Sequence, residues 1–384
     1  MTPASPILLV GVGGAGISLV GRLAPGLPPA VRCLAVDSDA TALAACGISD
    51  QVQVGRTSLR GLGAGGEPRL GADAAEAETA ELRRWLADAP VVVLVAGLGG
   101  GIGGGAAPFL AGLAAEAGAT VLALATIPFS HEGERRLSSA RETLVALHRA
   151  AHATVPLRND ALLQLAPADA PVGELFAETR RWVGSAVESL SGFFMPGALL
   201  PLDPAALRSL LPEPGCRACF STGRASGEGA VLAAARAALS SPLLPHGPEA
   251  GRHDHLLVQV VGGPDLTTGD CQAAVAILRA ELGGDRITLL GARLDSTEPT
   301  SARVSLLAAT PAPPVATPEA VAPGTKGRKG AKVTTATPQQ LFSFAQEENV
   351  RRGLFGTSAP NLFNGEDVDV PTYLRKGIRL PSAD

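Results

Sequence analysis

Three glycine clusters within the first 105 residues, each set beside a short apolar run, constrain this chain more than any other feature. Ile7–Val10 is apolar, runs into Gly11-Val-Gly-Gly-Ala-Gly16 and is followed by a helical pattern over Ile17–Leu23. Gly61-Leu-Gly-Ala-Gly-Gly66 precedes an Ala- and Glu-rich helix predicted over Ala72–Leu86. Val91–Ala96 runs into Gly97-Leu-Gly-Gly-Gly-Ile-Gly-Gly-Gly105, ahead of a helix predicted over Ala106–Ala117. Further strands read at Val31–Val36, ending in Asp37-Ser-Asp39, and at Thr120–Thr126. Short apolar strands alternating with helices predict an α/β domain with a parallel sheet covered on both faces. Ligands in such sheets bind beyond the carboxyl ends of the strands, where these glycines fall. Glycine allows positive φ and close backbone approach, and a following helix presents N–H donors to an anion.

What the glycines hold is open on these residues alone. Gly11, Gly13 and Gly16 fit G-x-G-x-x-G, and Asp37 follows at the distance where a dinucleotide fold binds ribose, so an NAD-binding Rossmann enzyme is one reading. A glycine-rich turn without ligand is another. Three clusters at successive strand ends instead suggest a nest of main-chain N–H groups around several phosphates. Every lysine lies late, at Lys326, Lys329, Lys332 and Lys376, so the first 325 residues hold neither a P-loop nor a Schiff-base lysine.

Composition narrows the classes. The 384 residues are 46% hydrophobic and only 18% charged, which excludes wholesale disorder. Aromatic residues at 3% argue against a base-stacking platform, and a net charge of −4 argues against a broad duplex-DNA footprint, so no nucleic-acid partner is expected. No apolar run reaches the ~18–20 residues of a membrane span, and Met1-Thr-Pro-Ala-Ser5 lacks a basic leader, so a cytoplasmic location without direct membrane insertion is expected. Cys216-Arg-Ala-Cys219 has C-x-x-C spacing, but no second pair and no suitably spaced histidine follows nearby. His253-Asp-His255 reads as a polar turn before a strand.

Beyond the glycine clusters the chain organises into further parts. A long helix is predicted over Val172–Ser191, then a Pro- and Gly-rich loop over Met195–Pro204. A second α/β region follows, with a helix at Gly229–Ser240 and strands near Leu256–Val261, Ile287–Leu290 and Arg303–Ala308. Pro311–Thr337 is dense in Pro, Ala, Thr and Gly and reads as a disordered linker carrying a small basic cluster, Thr325–Lys332. Apolar residues then return in Asp367-Val-Asp-Val-Pro-Thr-Tyr-Leu-Arg-Lys376, which has the look of a recognition peptide on a tether. The expected division is 1–170, 171–204 for the central helix and its loop, 205–310, a linker over 311–360 and a docking peptide over 361–384.

In their shared order these motifs resemble the FtsZ family of bacterial tubulin relatives. Gly11–Gly16 is similar to that family's first phosphate loop, and GLGAGGEPRLG over Gly61–Gly71 to its GLGAGxxPxxG segment. GGGIGGG over Gly99–Gly105 sits where tubulin-like proteins carry GGGTGTG. TIPFSHEGERR over Thr126–Arg136 resembles T-x-P-F-x-x-E-G-x-x-R, and Asn159–Leu163 resembles the family's N-D-x-L-L turn. Gly223–Glu228 and Ala237–Leu244 resemble segments opening its C-terminal domain, and Asp369–Lys376 its adaptor-docking peptide. The resemblance implies a tubulin/FtsZ-like fold that binds GTP or GDP, with Mg2+, and stacks head to tail into filaments at the division site. Gly13, Gly14, Ala15 and Gly16, with Gly100, Gly101, Ile102 and Gly103, would cradle the phosphates. Glu132 would bond the ribose, Arg136 would lie near the sugar or phosphates, Asn159 would face guanine and Phe176 would pack on the base. The plain alternatives are a helix-start charge pair for Glu132 and Arg136 and a core position for Phe176. Implied partners are further copies of the chain, an orthodox FtsZ, and a membrane-tethering adaptor met through residues 366–380.

The chain also departs from that pattern. Ile102 and Gly104 replace two threonines of GGGTGTG, removing two hydroxyls and placing an apolar branch near the phosphates; each hydrogen bond lost to a charged group costs ~1.5–3 kcal/mol. Where the family reads guanine with an Asn-Asp pair, this chain has Arg180-Arg181, donors that cannot accept. The family's catalytic loop, N-x-D-x-x-D, is completed between subunits and positions the attacking water. Here Asp203 remains, Pro201 replaces the Asn and Ala206 the second acid. Weakened hydrolysis is the expectation, and a non-hydrolysing structural or regulatory paralogue is the alternative.

Overall fold

The computed structural model describes residues 5–165, 171–194, 198–244, 252–297 and 299–311, with the short segments 362–363 and 366–367. The linker after residue 311, its basic cluster and nearly all of the tail therefore lie outside the described residues. The chain divides into two units, 1–315 and 316–384. In the second, Leu362–Phe363 pairs antiparallel with Glu366–Asp367.

In the first unit the order is β1 (Ile7–Val12), α1 (Gly13–Leu23), β2 (Val31–Asp37), α2 (Ala40–Ala45), β3 (Gln51–Gln53), α3 (Pro68–Ala77), α4 (Thr79–Leu86), β4 (Val91–Gly97), α5 (Gly101–Glu116), β5 (Thr120–Ile127), α6 (Glu134–Ala150), β6 (Ala153–Arg158) and α7 (Asn159–Leu162). It continues through α8 (Val172–Phe194), β7 (Ala198–Leu200), α9 (Pro204–Leu210), β8 (Cys216–Ser226), α10 (Ala230–Leu239), β9 (His253–Gly262), α11 (Thr268–Leu282), β10 (Gly283–Leu294) and β11 (Ser301–Thr310).

These strands form one sheet in the order β3-β2-β1-β4-β5-β6-β8-β11-β9-β10-β7. The half from β3 to β6 is entirely parallel. The half from β8 onward is mixed: β11 pairs antiparallel with both β8 and β9, while β9 and β10 run parallel. The halves join through two residue pairs, Ala153–Cys216 and Thr154–Arg217.

Period-two alternation sends successive strand residues to opposite cores. Ile7 and Leu9 face a cluster with Ile17 and Val20 of α1 and Val183, Val187 and Leu190 of α8. Leu8, Val10 and Val12 face a second cluster with Leu82, Leu110 and Leu147 from α4, α5 and α6. The first cluster continues under α8 to Phe220, Leu257 and Leu307, so the central helix bridges both halves of the sheet. A third cluster packs α10 and α11 on the other face of the second half.

Several elements differ from the sequence expectation. α1 and α5 begin at Gly13 and Gly101, earlier than Ile17 and Ala106, because the glycines assigned to loops form the first helical turns. The helix read over Ala72–Leu86 is two helices, broken at Glu78, where φ is −104° and ψ 19°. The Met195–Pro204 loop contains β7, an edge strand paired to β10, which depends on a partner distant in sequence. His253-Asp-His255 is no turn but the start of β9. The short elements α2, β3, α7 and α9, together with α6, β6, β8 and α11, have no counterpart in the sequence reading; β8 carries small and polar residues rather than an apolar run.

Candidate functional site

Helices α1 and α5 begin side by side. A Cβ built on Gly13, whose φ is +72°, would lie 2.7 Å from the Gly103 nitrogen. Their N-cap residues, Val12 and Gly100, make no side-chain cap, and neither first turn holds an acidic residue. First-turn N–H groups are thus left without side-chain acceptors at two positive helix ends, the arrangement that favours an oxyanion. The glycines permit the approach sterically. A Cβ on Gly16 would fall 2.3 Å from the Val95 oxygen, and one on Gly103 2.4 Å from the Gly97 oxygen.

Beside these helix ends lies a cleft of about 550 Å³, within the range of small-molecule sites. Its walls include Gly14, Ala15, Glu132, Arg136, Asn159 and Phe176 of the predicted residues. Gly13, Gly16, Gly101, Ile102 and Gly103 are buried and are not among its walls; Gly100 is half-buried at the α5 N-cap. The loop Gly61–Gly66 lines none of the cleft. Its Ala64 packs under α5 instead, 2.6 Å from where a Gly101 Cβ would stand. Ile102 overturns one expectation. It is 6% exposed and packs in the core with Ala64 and Leu98, so its apolar branch leaves the cleft open.

The walls hold specific polar groups. Glu132 Oε1 accepts from the Phe129 N–H at 2.8 Å, and its Oε2 pairs with Arg136 at 2.8 Å. The helix-start pair is therefore present, and it also lines the cleft. Asp160 accepts from the Ser130 N–H at 3.0 Å, tying the Ser130–Glu132 turn to α7. The amide oxygen of Asn159 is buried and has no hydrogen-bond partner. Such an orphan acceptor costs free energy unless a donor reaches it, and it fits the donor edge of a bound base. Phe176 is 52% exposed, which removes its core alternative. Of the two arginines only Arg180 reaches the cleft, while Arg181 pairs with Glu178.

Sequence reasoning missed Ser18, Leu19 and Arg22 as walls. They follow Gly14 and Ala15 at helical spacing, so extending α1 back to Gly13 places them on the same face. Asp37 is 5% exposed and accepts from the Ser38 N–H at 2.6 Å; burial is the leading cause pushing its carboxyl pKa up. A Cβ on Gly14 would lie 3.9 Å from its Oδ2.

Asp203 is not a wall of this cleft. It caps α9, its Oδ1 accepting from the Ala206 N–H at 2.7 Å. Cys216 and Cys219 lie three apart on a strand and so point to opposite faces. Cys219 Sγ is 3.6 Å from His253 Nε2, yet burial pushes its thiol pKa up to about 12, so the pair holds no thiolate nucleophile at neutral pH. Among the described residues no group of three or more His, Cys, Asp or Glu could hold a metal, and no helix is long and apolar enough to cross a membrane.

The order β3-β2-β1-β4-β5-β6 is shared with dinucleotide-binding sheets, so topology alone does not separate the two readings. Comparison with known proteins does. The architecture is that of the tubulin-like class: residues 6–167 match the model of the Tubulin/FtsZ family GTPase domain, and residues 216–310 that of the FtsZ family C-terminal domain. The chain is 34% identical to the cell division protein FtsZ of Methanothermobacter thermautotrophicus over 288 residues, covering 75% of this chain and 74% of that one. It is 34% identical to FtsZ of Bartonella bacilliformis over 302 residues, covering 79% of this chain and spanning about half, 51%, of that relative. Among solved structures, an empty FtsZ dimer from M. jannaschii aligns with a TM-score of 0.73 at 29% identity, covering 79% of this chain and 88% of that one. The GTPγS-bound protofilament of CetZ2 from Haloferax volcanii aligns with a TM-score of 0.66 at 26% identity, covering 79% and 92%. The chain belongs to the FtsZ family.

Proposed function

We propose that this chain binds a guanine nucleotide in the cleft beside α1 and α5, assembles head to tail with copies of itself, and hydrolyses GTP slowly. The observation that carries the reading is the pairing of two uncapped helix N-termini with a roomy cleft whose wall holds an orphan amide oxygen. In this reading the first-turn amides of α1, at Gly14 and Ala15, bind phosphate oxygens. The α5 start, Gly100 to Gly103, adds its positive end from behind. Glu132, already fixed by the Phe129 N–H, accepts from a ribose hydroxyl. Asn159 accepts from guanine N–H groups, Arg180 donates to the acceptor edge formed by O6 and N7, and Phe176 covers the base. A Mg2+ ion would rest on phosphate oxygens and water, as such ions commonly do in phosphate sites.

The bound nucleotide would be cleaved only when a second copy brings its Asp203 loop to the γ-phosphate. With Ala206 where the family pattern has its second acid, and Asp203 Oδ1 held by its capping bond, water is poorly oriented. In this reading the chain acts in cell division, in the cytoplasm at the septal ring. A structural or regulatory partner of an orthodox FtsZ is the favoured variant of that role if turnover is absent. The proposed adaptor contact through residues 366–380 falls almost wholly outside the described residues.

Phosphate release tests the reading. Ala206→Asp adds an acid to the first turn of α9, where it also suits the helix dipole. Turnover is expected to rise tenfold or more, about 1.4 kcal/mol of barrier, with nucleotide affinity unchanged. Native turnover equal to that of an orthodox FtsZ assayed alongside would refute slow hydrolysis. Failure of the native chain to retain guanine nucleotide on a filter would refute the site.

A further inference from the structure

The second half of the sheet carries a row that the nucleotide reading does not use. Arg224 of β8 stands opposite Arg303 of β11. Arg303 stands opposite Val261 of β9, and Val261 beside Arg293 of β10. Residues paired across strands share a face, so three arginines project from one side of the sheet.

That side is the one α8 covers. Two steps back along the strands the same face holds Phe220, Leu307 and Leu257, packed against α8. One step nearer come Thr222, Ser305 and Gln259, with Thr222 and Ser305 hydrogen-bonded at 3.0 Å and the Gln259 amide donating to Ser189 of α8 at 2.9 Å. The arginine row follows and lines a cavity of about 400 Å³ that also includes Glu188 and Asp295.

Packing does not account for the row. Like charges directly opposite one another in a sheet are destabilising, and Arg224 and Arg303 are such a pair. Glu188 of α8 answers Arg303 at 2.5 Å. Asp295 is bonded by the Thr297 hydroxyl and N–H at 2.5 and 3.0 Å. Three guanidiniums thus face two carboxylates. The Nε–H groups of Arg293 and Arg303 are buried without an acceptor. Two orphan donors from different strands, beside an uncompensated positive charge, match an oxyanion, which guanidinium binds through paired N–H groups.

We propose that the Arg224–Arg303–Arg293 row binds a compact oxyanion with two or more negative charges, carried on phosphoryl or carboxylate groups. The site stands apart from the nucleotide cleft and shares no wall residue with it.

The test titrates the full chain at low salt with sodium pyrophosphate and, separately, with citrate, following the heat of binding. Three proteins are compared: the native chain, the double variant Arg224→Gln/Arg293→Gln, and Ala15→Asp, which sets a carboxylate in the nucleotide cleft. Arg303 is left intact because its pair with Glu188 joins helix to sheet. A binding event that survives Ala15→Asp, weakens tenfold or more in the double variant and fades with added salt supports the proposal. The better of the two probes identifies the phosphoryl or carboxylate source. Should the double variant not fold, the exposed Arg224→Gln alone is expected to weaken binding severalfold. Unchanged affinity for both probes in the arginine variants overturns the proposal, as does heat that is lost only in Ala15→Asp.

Discussion

The parallel half of the sheet and the mixed half prepare for negative charge by opposite means. In the first, a cleft is walled by Gly14 and Ala15 at an uncapped helix start, with no lysine in the first 325 residues to help. In the second, three arginine side chains cross the sheet in a row, with two carboxylates lining the same cavity. Main-chain amides are fixed by the helix they begin, so they hold their geometry only while α1 and α5 lie close to each other and to the sheet. Guanidiniums are carried on long stems and depend little on backbone approach, but they repel one another and need counter-charges. The first design is therefore fragile to added volume and the second to altered charge.

The largest expected effect breaks the first design by volume alone. Gly16→Ala drives a Cβ to 2.3 Å from the Val95 oxygen, where backbone has to move. Overpacking of this kind costs on the order of 3 kcal/mol. Chemical denaturation should show that loss, with nucleotide retention abolished. The arginine row lies in the other half of the sheet, so pyrophosphate heat from it should persist wherever the variant remains folded. A variant with native stability and native nucleotide retention would mean that close helix–strand approach is not what forms the cleft.

A subtler effect is expected at Ile102, and it shows how much the sequence disclosed. The position is legible as a substituted phosphate-loop residue, which suggests an apolar branch beside phosphates. Its actual place, in the core with Ala64 and Leu98, follows from α5 starting at Gly101, and glycine-rich sequence conceals a helix start because glycine is a poor helix former. Ile102→Thr then buries a hydroxyl among apolar side chains and should cost about 1–3 kcal/mol in denaturation while changing nucleotide affinity less than twofold. A clear gain in affinity would place the side chain in the cleft after all.

The same contrast runs through the rest of the fold. Parallel strands β1, β2, β4 and β5 are readable because strands buried on both faces are written as continuous apolar runs such as Val91–Ala96, whereas the short β3 and the Pro-containing β6 carry no such run. β8 is not, since both its faces are covered yet its residues are small or polar: Cys216, Ala218 and Phe220 face the core under α8, Cys219 and Ala225 face the cluster of α10 and α11, and no local signal marks Cys216–Ser226 as eleven residues of strand. The arginine row was invisible for a related reason. Arg224 is some seventy residues before Arg293, Arg293 and Arg303 lie on different strands, and only the register of four strands makes the three neighbours. Glu132, Arg136 and Asn159 line the cleft and sit in ordered motifs, which makes them legible in the sequence. Arg22 was missed because its membership depends on where α1 begins.

The smallest expected effect concerns Asp37, a buried acid near the amide-walled cleft. Asp37 lies next to the start of α1, and burial is the largest influence on it, raising its carboxyl pKa above the ordinary value of 3.8 despite hydrogen bonds from the Ser38 and Asp39 N–H groups. A folded-state pKa raised above the unfolded one means that the native chain binds the proton more tightly. Stability from this group is therefore full below the ordinary carboxylate pKa and is lost as pH rises through the raised value. Asp37→Asn keeps an acceptor for the Ser38 N–H and carries no charge at any pH. Urea midpoints for the two proteins should coincide under acid conditions and separate as pH approaches neutrality, with the asparagine protein the more stable of the two. A native protein that gains the advantage as pH rises would show instead that the two N–H bonds and the adjacent helix end outweigh burial. The carboxylate would then be a working anion in a half of the molecule otherwise prepared to receive one.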